Sequence, residues 1–114
     1  MVNGPVAVNP GTHAEGTNTI AYGYGAHSEG YRTQAIGGRA HAEGSGTLAY
    51  GHNSHSEGEG TAARARASHA EGFCVTAEGQ YSHAEGNKSL AKGESSHAEG
   101  ESTEASGKDS HAEG

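Results

Sequence analysis

Ser68-His69-Ala70-Glu71-Gly72-Phe73-Cys74 runs straight into Val75-Thr76-Ala77-Glu78-Gly79-Gln80-Tyr81, and both halves fit one frame: small residue, x, Ala, x, Gly, x, x. The next stretch repeats it, with Ser82-His83-Ala84-Glu85-Gly86 and then Ser89-Leu90-Ala91-Lys92-Gly93. Small residues at i, i+2 and i+4 mark one face of a strand. The Gly and the two residues after it are predicted to turn the chain, Gly tolerating positive φ. Two short strands and two tight turns then close one coil, and the coils stack by backbone pairing. Working outward, the tetrapeptide His-Ala/Ser-Glu-Gly occurs eight times, each copy beginning 14 residues after the last. A fixed period of this kind is the signature of a repeat architecture. Eight rungs at about 4.8 Å each give a rod of roughly 38 Å.

The period of seven also raises the coiled coil, but the recurrent positions hold Ala and Gly rather than Leu or Ile. Glycine inside a helix costs about 1 kcal/mol relative to Ala, so two per repeat exclude that reading. Collagen requires Gly at every third position. The expected fold is therefore all-β: a parallel β-solenoid with 14-residue rungs. Positions such as Thr19, Ala21 and Gly23 point inward, and the interior is narrow. Val75 in place of Thr and Ala65 in place of Gly are mild departures.

Composition agrees with a narrow interior. The chain holds only nine Val, Ile, Leu and Phe residues and no Trp, against 20 Gly. In a chain without a strict register, that scarcity and the net charge of −7 would mean disorder. One copy cannot bury a large core, so burial against partner chains is expected. The seven Lys and Arg are scattered, which argues against nucleic acid as a partner. No stretch is long and apolar enough for membrane insertion. The single cysteine, Cys74, excludes an internal disulfide and any CxxC metal pair.

The outward residues of the two half-rungs behave differently. In the second half they vary: Ile20 and Tyr22, Gln34 and Ile36, Leu48 and Tyr50, Ala62 and Arg64, Thr76 and Glu78, Leu90 and Lys92, Glu104 and Ser106. In the first half they are always His and Glu: His13 and Glu15, His27 and Glu29, His41 and Glu43, His55 and Glu57, His69 and Glu71, His83 and Glu85, His97 and Glu99, His111 and Glu113. A strand facing only water has no reason to be so uniform. These sixteen residues are the candidate seam between copies of the chain, each rung meeting its own equivalent in a neighbour. Protonation of His near its ordinary pKa is expected to relieve repulsion within the Glu ladder.

The doubled Ser/Thr-x-Ala-x-Gly pattern resembles the head repeat of trimeric autotransporter adhesins of the YadA type, over residues from about Ala7 to Gly114. The Ser-His-Ala-Glu-Gly form is also similar to repeat shafts of phage tail-fibre and appendage proteins. The resemblance implies a left-handed parallel β-roll with three chains side by side, in an extracellular surface fibre or a phage virion. The function it implies is a rigid trimeric shaft or head. A second reading is an adhesin head that binds a host receptor, glycan or matrix ligand, with Tyr22 and Tyr50 on the candidate ligand face. A third is a soluble trimer holding a small ligand or metal between chains. The chain lacks the neck, coiled-coil stalk, anchor and export signal of a full adhesin, which favours a piece of a longer fibre protein or a virion component. Residues 1–12, with Pro5 and Pro10, are expected to form an N-terminal cap with an imperfect first strand, and residues 13–114 the roll.

Catalysis is not expected. His-x-Glu begins the zinc deaminase signature, but its Pro-Cys-x-x-Cys partner is missing. Gly107-Lys108-Asp109 lacks the P-loop spacing. His and Glu at i and i+2 share a strand face and suit zinc or nickel. A dedicated site usually occurs once, however, and eight equal copies are better read as a hydrogen-bonded ladder. The expected cofactor and metal complement is accordingly none.

Overall fold

The computed structural model describes residues 4–114, so the first three residues of the expected cap lie outside the described residues. The remainder forms sixteen strands in two parallel sheets. Strands of five residues, such as His69–Phe73 and His83–Asn87, build one sheet. Two-residue strands, such as Thr76–Ala77 and Leu90–Ala91, build the other. The chain alternates between them, so each sheet pairs every second strand in sequence order. Register advances by 14 throughout: His69 pairs with His83, Ala77 with Ala91. The result is a parallel β-solenoid of about eight turns, 41 Å long and 22 by 15 Å across. The first short strand, Val6–Ala7, pairs in the same register with Ile20–Ala21. This strand forms the edge of the short-strand sheet.

The inward frame is as predicted. Thr19, Ala21 and Gly23 are buried, and the core consists of Ala columns with Ser and Thr between them. Val75 is the largest fully buried side chain. Hydroxyls inside this core follow a pairing rule. Where the first half carries Ser, it meets the Thr five residues on: Ser28 with Thr33 and Ser56 with Thr61, each at 2.7 Å. Where it carries Ala, the facing Thr has nothing to bond. Among the described residues the Oγ1 atoms of Thr19, Thr47 and Thr103 are buried without a partner. Val75 stands at the equivalent position opposite Ala70 and needs none.

The two corners differ, and here the simple picture of a turning glycine needs correction. One corner is a β-turn, closed for example by Ser82 N–H donating to the Gly79 carbonyl at 3.2 Å. The Ser82 hydroxyl donates to that same oxygen at 2.6 Å. The Gly at the fifth position has positive φ in the first half, as expected, but not in the second; the left-handed residue common to both corners is the seventh of the heptad. Asn18, Arg32, Cys74 and Lys88 hold it at one corner and Arg39, Asn53 and Tyr81 at the other, with φ between 55° and 61°. From Arg32 onward each such N–H reaches back to a carbonyl of the previous rung, as Cys74 does to Glu59 at 2.9 Å and Tyr81 to Arg66 at 3.0 Å. The corners therefore stack by hydrogen bonds as the strands do. The Gly of the first half has a different duty. Gly72 lies within its strand at φ 119°, and a Cβ there would fall 2.1 Å from the Gly86 carbonyl oxygen. It is the closeness of the next rung, together with φ, that excludes a side chain.

Candidate functional site: a histidine and glutamate ladder

The five-residue strands project His at the first position and Glu at the third, on the outer face of the long-strand sheet. In-register pairing puts each His directly above the next. From His27 to His111 the rings are stacked, with centroids 4.6–4.8 Å apart and planes within 12° of parallel. His13 is tilted by 39° against His27, at the end of the column where it lacks a ring on one side. All sixteen predicted seam residues are thus brought into two continuous columns.

The columns touch through Nε2 and the carboxylates. At the N-terminal end each His approaches the Glu of its own rung: 3.5 Å for His27 and Glu29, 3.7 Å for His55 and Glu57. His69 is the crossover, 3.9 Å from both Glu57 and Glu71. Beyond it each His turns to the preceding rung, at 3.4 Å for His83 and Glu71 and for His97 and Glu85. The side chains of the central rungs are about one-third exposed, yet their reactive atoms are shielded: His55 retains 35 % exposure. Among the described residues the Nε2 atoms of His27, His41, His55, His69 and His83 are buried without a hydrogen bond.

Electrostatics in the centre of the ladder disfavour the imidazolium. Burial and the neighbouring His55 and His83 rings hold His69 below its ordinary value, against the pull of Glu71 and Glu57. Protonation near the ordinary value, expected from the sequence, is corrected at this residue, because burial and the two stacked imidazoles together outweigh the two carboxylates. Burial works to raise the Glu85 carboxyl. The His97 hydrogen bond, the His83 charge and contacts to Glu99 and Glu71 outweigh it and hold Glu85 below its ordinary value.

Donor atoms for a metal do gather. In triples such as His55, Glu57 and His69 the candidate ligand atoms lie within 4.8 Å of one another. A metal held by two Nε2 atoms at about 2.1 Å each needs them no more than roughly 4.2 Å apart. The rings are instead parallel at the rung spacing, and bringing two onto one ion would break the stack. The arrangement as it stands packs the imidazoles on one another.

On the opposite, short-strand sheet Tyr22 and Tyr50 are both exposed. A cleft of about 420 Å³ opens beside Tyr22 and is lined by Tyr24, Ile36, Gly38, Arg39 and His52, but not by Tyr50. Its position was legible in the sequence only by aligning one corner across rungs. Pro10, Tyr24, Gly38, His52 and Arg66 share a column, and Gly38 leaves the gap.

Two segments, residues 10–26 and 28–54, match the YadA head domain repeat. These segments carry YadA-like head repeats. No curated protein gives a significant match. The later rungs of this YadA-like array keep the register of the matched ones, residue for residue: Ser45 of a matched rung pairs with Glu59, and Glu59 with Phe73. Variation in these repeats is wide at outward and corner positions, whereas buried positions exchange only small residues, as in Ser28 and Ala42 or Thr61 and Val75. Among the described residues no helix is long and apolar enough to cross a membrane.

Proposed function

We propose that this chain is a rigid, non-catalytic segment of a surface or phage tail fibre. Three left-handed rolls lie side by side with their His/Glu ladders facing one another along a common seam. The carrying observation is the contrast between the two outer faces of one roll. The ladder face is the same in every rung, whereas the short-strand face changes from Val6 and Val8 to Glu104 and Ser106. Five ladder Nε2 atoms are buried but unbonded, with carboxylates at 3.4–3.9 Å. Pressing a neighbouring face against them would shorten these contacts into charge-assisted hydrogen bonds, which fix register more than they add stability. Stacked parallel rungs give the stiffness a shaft needs, and the likeness to the head repeat supports an extracellular placement.

A second reading, an adhesin head, is favoured by the apolar N-terminal part of the short-strand face, where Val6, Val8, Tyr22 and Tyr50 are exposed. The two readings are compatible, since the seam and this face lie on opposite sheets. Sedimentation velocity tests the seam. The chain is expected to run as a trimer, and His41→Asn, His55→Asn and His69→Asn combined are expected to shift it toward monomer. A stable wild-type monomer, or trimers that persist in the triple variant, refutes the seam.

A further inference from the structure

We propose that the cleft between Tyr24 and His52 is a binding site for a carboxylated sugar unit, such as a uronic or sialic acid residue of a polysaccharide. The site exists because one corner column skips a side chain. Tyr24, Gly38 and His52 occupy the same position in successive rungs, so Tyr24 and His52 stand two rungs, roughly 9.5 Å, apart. Nothing in the backbone demands glycine there. Gly38 is outside the left-handed region, and the first atom a Cβ would meet is the His52 Nδ1 at 3.0 Å, the end of a movable ring. The other rungs carry Arg66, Gln80, Glu94 and Lys108 at this position. Gly38 is therefore a gap in an otherwise filled column.

The lining suits a sugar acid. Tyr22 and Ile36 give an apolar floor and Tyr24 an aromatic wall with a hydroxyl, which match the C–H face and hydroxyls of a pyranose. Gly38 N–H donates to His52 Nδ1 at 3.2 Å. Nδ1 is thereby the acceptor, which puts the proton of the neutral ring on Nε2 as an outward donor. Arg39 Nε donates to Asn53 Oδ1 at 2.9 Å, which orients the guanidinium and leaves its terminal N–H groups to grip a carboxylate in bidentate fashion. Charge around the cleft runs opposite to that of the chain. The molecule carries 14 acidic residues, yet the short-strand halves of the first five rungs (residues 4–11, 19–26, 33–40, 47–54 and 61–68) contain none, and hold Arg39, Arg64 and Arg66. An anion approaching an otherwise acidic rod finds its one favourable side here.

The test is a titration of the full chain, followed by NMR, with sialyllactose and a glucuronate disaccharide as probes and lactose as the neutral control. The carboxylated probes are expected to shift the resonances of Tyr24, Gly38 and His52, at least tenfold more tightly than lactose. Gly38→Gln fills the gap with the residue that Gln80 already places in this column, so the fold is retained, and binding is expected to fall at least tenfold. Arg39→Gln is expected to abolish the preference for the carboxylated probes. The proposal is overturned if neither carboxylated probe binds, if lactose binds equally well, or if Gly38→Gln binds as the wild type does. Sedimentation of the same samples reads the trimer separately, so failure of one proposal leaves the other standing.

Discussion

Thr47→Val and Thr33→Val are the same chemical change at equivalent positions of neighbouring rungs, and they are expected to move stability in opposite directions. Both threonines are buried, with Thr47 at 1 % exposure and Thr33 at 0 %. Thr47 faces Ala42, and its Oγ1 is among the buried atoms without a partner. Valine there removes an unsatisfied hydroxyl, worth about 1–3 kcal/mol when left buried, and adds a methyl group at about 0.8 kcal/mol. Val75 shows that the roll accepts this side chain at full burial. A gain of about 1–2 kcal/mol is expected, which corresponds to a rise of roughly 4–8 °C in melting temperature. Thr33 instead bonds Ser28 at 2.7 Å. Valine there strands the Ser28 hydroxyl at a similar penalty of about 1–3 kcal/mol, partly offset by the new methyl, for a net loss of about 1 kcal/mol. Adding Ser28→Ala recreates the natural Ala70 and Val75 arrangement and is expected to restore stability, with a coupling energy of about 2 kcal/mol across the cycle. The assay is thermal and denaturant unfolding of the four proteins at one protein concentration, because assembly makes stability depend on concentration. If Thr47→Val and Thr33→Val shift stability in the same direction, the pairing rule for core hydroxyls is wrong.

Two further perturbations separate the duties of glycine and of the ladder. Gly72→Ala forces a Cβ to 2.1 Å from the Gly86 oxygen at φ 119° and is expected to cost more than about 3 kcal/mol in unfolding free energy. Gly60→Asn, at φ 66° with its nearest neighbour 3.6 Å away, takes the residue found in the same corner at Asn18 and is expected to stay within about 0.5 kcal/mol. Equal losses would refute the distinction between a crowded and an open glycine. Acid is expected to destabilise the fold. His69 is held below its ordinary 6.5, so the unfolded chain binds its proton first and the stability present above pH 6.5 is lost as pH falls through the depressed folded value. Glu85, held below 4.5, removes more as pH falls below 4.5 and through its own folded value. Melting temperatures recorded from pH 7.5 down to 4 check this; a rise between pH 7 and 5.5 would mean that the carboxylates, rather than the neighbouring rings, govern the His column.

The inward half of this molecule is legible in its sequence because the interior has no room for alternatives. Ala77 and Ala91 lie on one another at the rung spacing, and a larger residue at either would meet backbone, so identity at inward positions reports geometry directly. The ladder was legible for a related reason. A residue that repeats in register stacks on itself, and His55 over His69 at 4.7 Å follows from the 14-residue period alone. Less was legible where two residue types share one backbone task. The frame assigned the turn to the Gly and the two residues after it, with positive φ at the Gly, but the left-handed conformation common to both corners falls on the seventh position, which Arg32, Cys74, Tyr81 and Lys88 occupy in turn. Stacking hydrogen bonds at the corners offset the strain there, so no single residue type marks the site. Protonation was illegible for a stronger reason. The balance at His69 among burial, the neighbouring rings and the carboxylates depends on how closely the columns pack, and spacing in sequence carries no such information. The cleft lies between these cases. Gly38 is visible as a missing side chain once the corner is aligned as a column, but only the stacked register makes Tyr24 and His52 its two walls. A repeat protein of this kind therefore writes its scaffold in what stays constant from rung to rung. Any specific recognition must be sought where a column breaks its own pattern.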